Sequence, residues 1–132
     1  MSKNMVINEY MTRPVHGIAP EETLDVAARR MRDNDIRHLP VRTGGKVVGL
    51  LTQRDIDIAK AVSKNGLSHT VVSDVMVPEP FCVEANACLR AVVREMAERK
   101  FSSAIVVAKD GSVEGIFTEI DALRVFGRQL MD

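Results

Sequence analysis

The segment Gly49-Leu50-Leu51-Thr52-Gln53-Arg54-Asp55 returns 66 positions later (115 − 49) as Gly115-Ile116-Phe117-Thr118-Glu119-Ile120-Asp121. The shared pattern is a glycine, two apolar residues, a threonine, two variable residues and an aspartate. It predicts a strand that runs into a helix N-terminus. There a hydroxyl and a carboxylate meet backbone N–H groups that the helix itself leaves free. A chain that makes this corner twice is constrained to two related halves carrying two related half-sites.

The repeat reaches well beyond those seven residues. At a shift of 65, Val6 meets Val71, Met11 meets Met76, Leu24 meets Leu89, Arg29 meets Arg94, Met31 meets Met96 and Val41 meets Val106. One inserted residue near Lys109 raises the shift to 66, and Gly45 then meets Gly111 and Val47 meets Val113. The matches fall mostly on apolar, turn and corner positions, which a shared fold would fix. The expected halves are 1–64 and 65–132, with Lys64 to His69 and its Asn65-Gly66 as the linker. Each half would be marginal alone, so the two are expected to pack as one module.

Each half reads as strand, helix, strand, strand, helix. A short turn (Val6 to Met11, Val71 to Met76) leads to an extended piece around Val15 to Ile18 or Phe81 to Val83. Leu24, Ala27, Ala28 and Met31 then recur at helical spacing, as do Leu89, Val92, Val93 and Met96, with charged residues on the opposite face. Thr23 is a plausible N-cap for the first of these helices. Two strands follow in each half. His38 to Arg42 and Lys46 to Leu51 are joined by Thr43-Gly44-Gly45, and Ala104 to Ala108 and Ser112 to Phe117 by Lys109-Asp110-Gly111. Both joints carry hairpin turn signals. A last helix starts near Asp55 or Asp121.

Charge balances at 18 basic against 18 acidic residues, so nothing demands a nucleic acid or an anionic membrane as partner. Aromatic residues make up 4% of the chain, too few for base-stacking platforms, and the run Arg29-Arg30-Met31-Arg32 reads as the wet face of a helix. No apolar run spans a bilayer, and the start Met-Ser-Lys-Asn lacks the apolar stretch of a signal peptide, so cytoplasmic residence is expected. Cys82 and Cys88 read as half-buried thiols in a reducing compartment. No close Cys/His pairs suggest a metal site, and His16, His38 and His69 are far apart in sequence. No nucleophile context, Walker loop or Gly-x-Gly-x-x-Gly occurs, so no enzyme activity is expected.

The Thr-x-x-Asp corner has two readings. It is close to a capping box, in which the hydroxyl satisfies a free N–H and the helix dipole favours the acid. The same acid can also accept hydrogen bonds from vicinal hydroxyls such as those of a ribose, with N–H groups near to help a phosphate. The two roles can coexist.

The words Met11-Thr12-Arg13-Pro14, Ile36-Arg37-His38-Leu39-Pro40-Val41 and Gly49 to Asp55, then Val75-Met76 with Pro78, Ala104-Ile105-Val106-Val107 and Gly115 to Asp121, carry a resemblance. In that order and twice over, nearly the whole chain resembles a tandem pair of cystathionine-beta-synthase (CBS) domains. The resemblance implies an α/β (α+β) fold of two pseudo-symmetric β-α-β-β-α repeats packed sheet to sheet. It implies a regulatory module that needs no cofactor. The regulatory ligand would contain adenosine: AMP, ADP, ATP, NAD or S-adenosylmethionine. By the same resemblance, Asp55 and Asp121 would hold ribose hydroxyls with Thr52 and Thr118 beside them. The family's pockets cross the repeat boundary. One would join Asp121, Thr118 and Ile116 to the strand around His16 and to Ile36. The other would join Asp55, Thr52 and Leu50 to the strand around Phe81 and to Phe101.

Arg37 and His38 stand where the family often places phosphate-binding cations; the alternative is solvated strand-end residues. The second repeat has Ser102 and Ser103 there and Ile105 in place of Pro40, and Gly17 in the first repeat and Cys82 in the second stand where a threonine is common. These departures point to one phosphate-competent site and one weaker or empty site. The resemblance also implies a homodimer that uses the helical faces carrying Ile58, Val62, Leu123, Phe126 and Leu130, whose alternative role is core packing. With no catalytic or transport domain attached, the output is expected through a partner protein or through oligomerisation. The competing expectation is a ligand-free structural domain in which the corner is only a cap.

Overall fold

The computed structural model describes residues 4–131; the start of the N-terminal stretch read above for a signal peptide lies outside them. The described residues form four α-helices and two three-stranded sheets, an α+β architecture. They divide into two compact units, one continuous over His16–Pro80 and one split between residues 4–15 and 81–131. The units therefore differ from the linear halves: residues up to Val15 pack with the second half of the chain, and residues 65–80 with the first.

The continuous unit runs α1 (Leu24–Asn34), β1 (His38–Thr43), β2 (Lys46–Thr52), α2 (Gln53–Val62) and β3 (Val77–Pro78). Its sheet has the order β1-β2-β3 and is antiparallel throughout. β3 was not foreseen in the sequence, being a two-residue strand without a pattern of its own. The expected strand around Val15 to Ile18 reduces to one bridge between Ile18 and Val41. The hairpin joining β1 and β2 places Gly44 and Gly45 at φ 58° and 81°. Both values lie in the left-handed region, which glycine adopts without a Cβ penalty.

The split unit runs β4 (Cys82–Glu84), α3 (Leu89–Arg99), β5 (Ser103–Val107), β6 (Val113–Thr118) and α4 (Glu119–Met131). β4 pairs parallel with β5, and β5 antiparallel with β6. The pseudo-symmetry extends to irregularities. The register slips between Val41 and Arg42 in one unit and between Val106 and Val107 in the other. α1 ends on a left-handed Asp35 and α3 on a left-handed Lys100, each followed by a residue whose N–H reaches back to Met31 or Met96.

The same backbone bonds tie each unit's turn segment to its first helix. In the continuous unit, Leu24 N–H donates to Thr70 O, Val72 N–H to Glu22 O and Ser73 N–H to Pro20 O. In the split unit, Leu89 N–H donates to Met5 O, Ile7 N–H to Ala87 O and Asn8 N–H to Ala85 O. Each turn segment comes from the other linear half.

Each core follows the predicted helical stripe. Leu24, Ala27 and Met31 pack with Leu39, Val41, Leu51, Ile56 and Val72. Leu89, Val92 and Met96 pack with Ile7, Ala104, Val106 and Phe117. Thr23 does stand at the N-cap position of α1, but its side chain makes no cap bond; the hydroxyl donates to the Asp25 carboxylate instead. Cys82 is half-buried and Cys88 is exposed, so only one of the two thiols matches the sequence reading. Burial pushes the Cys82 thiol above its ordinary pKa, which favours the protonated form.

Candidate functional site

Both corners are built, and both are caps. In the continuous unit, Thr52 is the N-cap of α2 and Asp55 its third helical residue. The Thr52 hydroxyl accepts the Asp55 N–H at 3.2 Å and donates to Asp55 Oδ2 at 2.9 Å. The Thr52 N–H donates to the same Oδ2 at 2.9 Å. In the split unit, Thr118 N–H donates to Asp121 Oδ2 at 2.9 Å and the Thr118 hydroxyl to it at 3.3 Å, while the Asp121 N–H reaches that hydroxyl at 3.5 Å. The helices therefore begin at Gln53 and Glu119, two residues before the aspartates at which the sequence reading started them.

The cap uses one carboxylate oxygen, and the corners part at the other. Asp121 Oδ1 accepts the Thr12 hydroxyl at 2.8 Å and lies 3.6 Å from the Arg124 guanidinium. Thr12 is brought there by a two-way backbone bridge to Ile116, at 2.7 and 3.1 Å. The repeat-matched positions in the continuous unit are Val77 and Ile58, neither of which can donate. Asp121 is 5% exposed, whereas Asp55 is only half-buried.

A close approach sits under each corner. A Cβ on Gly115 would meet Met11 Sδ at 2.3 Å, and one on Gly49 would meet Met76 Sδ at 2.5 Å and the Val77 carbonyl at 3.1 Å. The repeated glycine and the repeated methionine are thus one packing contact, made across the linear halves.

The remaining expected residues gather as follows. Around the end of β2, Leu50 is buried, His38 stands opposite Thr52, and the Arg37 carbonyl accepts the Gln53 N–H at 2.9 Å. The Arg37 side chain is exposed, His16 is exposed, and Ile36 packs against the core of its own unit. In the split unit Ile116 is 8% exposed beside Thr118. Phe81 and Phe101 stack at 5.2 Å and pack against that unit's core, with Arg99 over the Phe101 ring at 4.9 Å. Sequence reasoning missed Thr12 and Arg124. Thr12 against Val77 was a visible break in the repeat, but nothing in the sequence gave it a partner.

A cavity of about 190 Å³ lies beside Asp121, lined by Thr12, Arg124, Arg128, Glu9 and Tyr10 among others. That is below the ~300 Å³ at which pockets for drug-sized ligands begin, so alone it suits a fragment the size of a sugar. A larger groove of about 590 Å³ runs between α3 and α4. It is lined mainly by apolar side chains such as Leu89, Val93, Met96, Leu123 and Phe126 and has few groups to orient a nucleotide.

A family model described as CBS domain matches residues 7–62 and again 72–128. Among curated proteins, the chain is 32% identical over 109 residues to the CBS domain-containing protein CBSCBSPB3 of Arabidopsis thaliana, covering 82% of this chain and 19% of that protein. It is 32% identical over 112 residues to the inosine-5'-monophosphate dehydrogenase of Korarchaeum cryptofilum, covering 85% of this chain and 22% of that enzyme. The chain thus spans about a fifth of the length of these relatives. Among solved structures, the CBS domain pair of protein MJ0100, in complex with 5'-methylthioadenosine and S-adenosyl-L-methionine, matches with a TM-score of 0.88 at 24% identity, covering 96% of this chain and 99% of that one.

Proposed function

The chain belongs to the CBS domain family, and we propose that it is a regulatory module that senses an adenosine-containing ligand. One observation carries the reading. The corner is built twice, and in each copy the cap draws mainly on Oδ2 of the aspartate. An ionised carboxylate offers about four acceptor sites, so capacity for a ligand's hydroxyls remains after the helix is capped, more at Asp55 than at Asp121, where Oδ1 also accepts from Thr12. The ligand set proposed is AMP, ADP, ATP, NAD or S-adenosylmethionine, the last being one of the compounds bound by the MJ0100 pair. At 24% identity that structure shares the fold; the ligand class here rests on the corner. Thr52, Asp55 and Leu50, Thr118, Asp121 and Ile116, with His16, Ile36, Arg37, His38, Phe81 and Phe101, are the residues proposed to form the sites.

The module is proposed to be regulatory rather than catalytic, although one relative carries the matching region within a dehydrogenase. Cytoplasmic residence and a homodimer are part of the same proposal. Among the described residues no helix is long and apolar enough to cross a membrane. The dimer is supported by Ile58, Val62, Leu123, Phe126 and Leu130, which are 53%, 74%, 64%, 62% and 75% exposed and so lie outside the core.

That apolar surface also favours a second reading, an oligomerisation domain without a ligand, in which the corners are only caps. Thermal denaturation with a panel of adenosine ligands separates the two. A ligand present at about 100 times its dissociation constant should add roughly 2.7 kcal/mol to stability. A melting temperature that none of the panel moves would leave the structural reading standing.

A further inference from the structure

Glycine is the poorest helix former after proline, so a glycine inside a helix calls for a reason. Gly127 stands inside α4 and is exposed. Of the chain's 8 glycines, Gly44, Gly45, Gly66 and Gly111 sit at positive φ, and Gly17, Gly49 and Gly115 each lie under a close side chain. Gly127 has neither reason, because a Cβ there would meet nothing within 4 Å outside its own helix. The stripe around it is apolar. Ile120, Leu123, Gly127 and Leu130 follow at helical spacing with Phe126 beside them, and all five are exposed. α2 does not repeat this stripe. At the matching positions, 66 earlier, stand Arg54, Asp57, Lys60 and Lys64, all exposed. The two exposed apolar residues of α2, Ile58 and Val62, match Arg124 and Arg128 instead.

We propose that α4 packs on α4 of a second copy of this chain, with the two helices closest at Gly127. This rests on the homodimer reading above and adds which surfaces meet: like pairs with like. Phe126 raises a ridge next to the gap left by Gly127. The stripe thus carries a knob and a hole side by side, and it matches itself when turned about a two-fold axis. Laying α4 on α2 of the second copy would set exposed charges against the apolar stripe and strip them of water without a partner. The missing side chain at Gly127 lets two helix backbones approach, which is a use for glycine that nothing within one copy supplies.

The test is sedimentation equilibrium of the full chain over a range of concentrations, for wild type, Gly127→Leu and Ile58→Glu. Wild type should dimerise. Gly127→Leu should raise the dimer's dissociation constant by roughly ten-fold or more, because the added side chain overfills the closest approach. It should keep the wild-type circular-dichroism spectrum, since leucine is the better helix former. Ile58→Glu, on the exposed face of α2, should leave the dissociation constant within about two-fold of wild type. A dimer that tolerates Gly127→Leu overturns the α4 pairing while leaving the homodimer reading in place. Loss of the dimer in both variants would put α2 of one copy on α4 of the other and overturn the pairing of like with like. If wild type stays monomeric at every concentration, the homodimer reading itself falls and takes this pairing with it.

Discussion

Asp55 and Asp121 occupy the same place in the repeat and differ in what surrounds them. Asp121 is 5% exposed and accepts from three donors, Thr118 N–H, Thr118 Oγ1 and Thr12 Oγ1. Asp55 is half-buried and accepts from its own cap alone among the bonds described. Removing a cap acceptor costs about 0.5–2 kcal/mol, and orphaning a further donor about 1–3 more. Asp121→Ala should therefore lower unfolding free energy by about 2–3 kcal/mol and Asp55→Ala by about 1 kcal/mol. Urea denaturation reads both, and the reverse order would mean that Thr12 adds nothing. A second charged residue gives a pH signature. The Ala19 N–H above all holds the Glu22 carboxyl below its usual value of 4.5; burial pushes the other way, and the Arg30 guanidinium adds to the lowering. A carboxyl lowered in the folded state stabilises above its unfolded pKa, and that contribution fades as pH falls through the lowered folded value. Glu22→Gln should melt below wild type at neutral pH, and the gap should close in acid, below about pH 4. A gap constant with pH would assign Glu22 a packing role only. At this scale the sequence showed the corner residues plainly, because their spacing repeats. It hid Thr12, whose partner Asp121 lies 109 positions away and is encoded by no local spacing, while Arg124 stands at helical spacing, three residues after the same acid.

Elements were legible where a period sustained them. The stripes Leu24-Ala27-Met31 and Leu89-Val92-Met96 are buried as the helical spacing required, while Val93 at the edge of its stripe stays 37% exposed. The hairpins fell where Gly44-Gly45 and Asp110-Gly111 placed them. Elements of two or three residues escaped, because β3 and the lone bridge at Ile18 are held by partners rather than by a pattern. Helix ends were also displaced. Thr-x-x-Asp marks the N-cap and the third residue, so a helix read as starting at the acid starts two residues late. The C-terminal ends of α1 and α3 carry a testable strain. Lys100 closes α3 at φ 59°, ψ 41°, where a Cβ is disfavoured and glycine is the usual occupant. Lys100→Gly should stabilise by about 0.5–1 kcal/mol, read as a shift of the urea midpoint at constant slope. A loss of stability would show that the lysine stem packs on the groove it lines.

The whole molecule is a repeat protein whose repeats trade their opening segments. Residues 4–15 bury Ile7 completely in the split unit, seat Met11 against Gly115 and deliver Thr12 to Asp121. Burying Ile7 alone is worth about 1.5–3 kcal/mol, and the backbone bonds to Ala85, Ala87 and Ile116 come with it. Internal similarity revealed that there are two halves but not this exchange. A repeat aligns equivalent positions and says nothing about which copy of a segment packs where. The exchange predicts how the chain can be cut. Gln129 near the end of α4 reaches Met5 Sδ at 3.8 Å, so the two ends of the split unit meet. A permuted chain running 81–132, a short Gly/Ser linker and 1–15 keeps every contact just named. The linear half 65–132 has the same helices α3 and α4 but lacks Ile7, Met11 and Thr12. Both pieces are near the size at which a single core is marginal, so those few contacts decide between folding and not folding. The permuted chain should show a cooperative thermal transition by circular dichroism, and the linear half a broad one at lower temperature or none. Equal stability of the two would mean that residues 1–15 dock on a unit already complete without them.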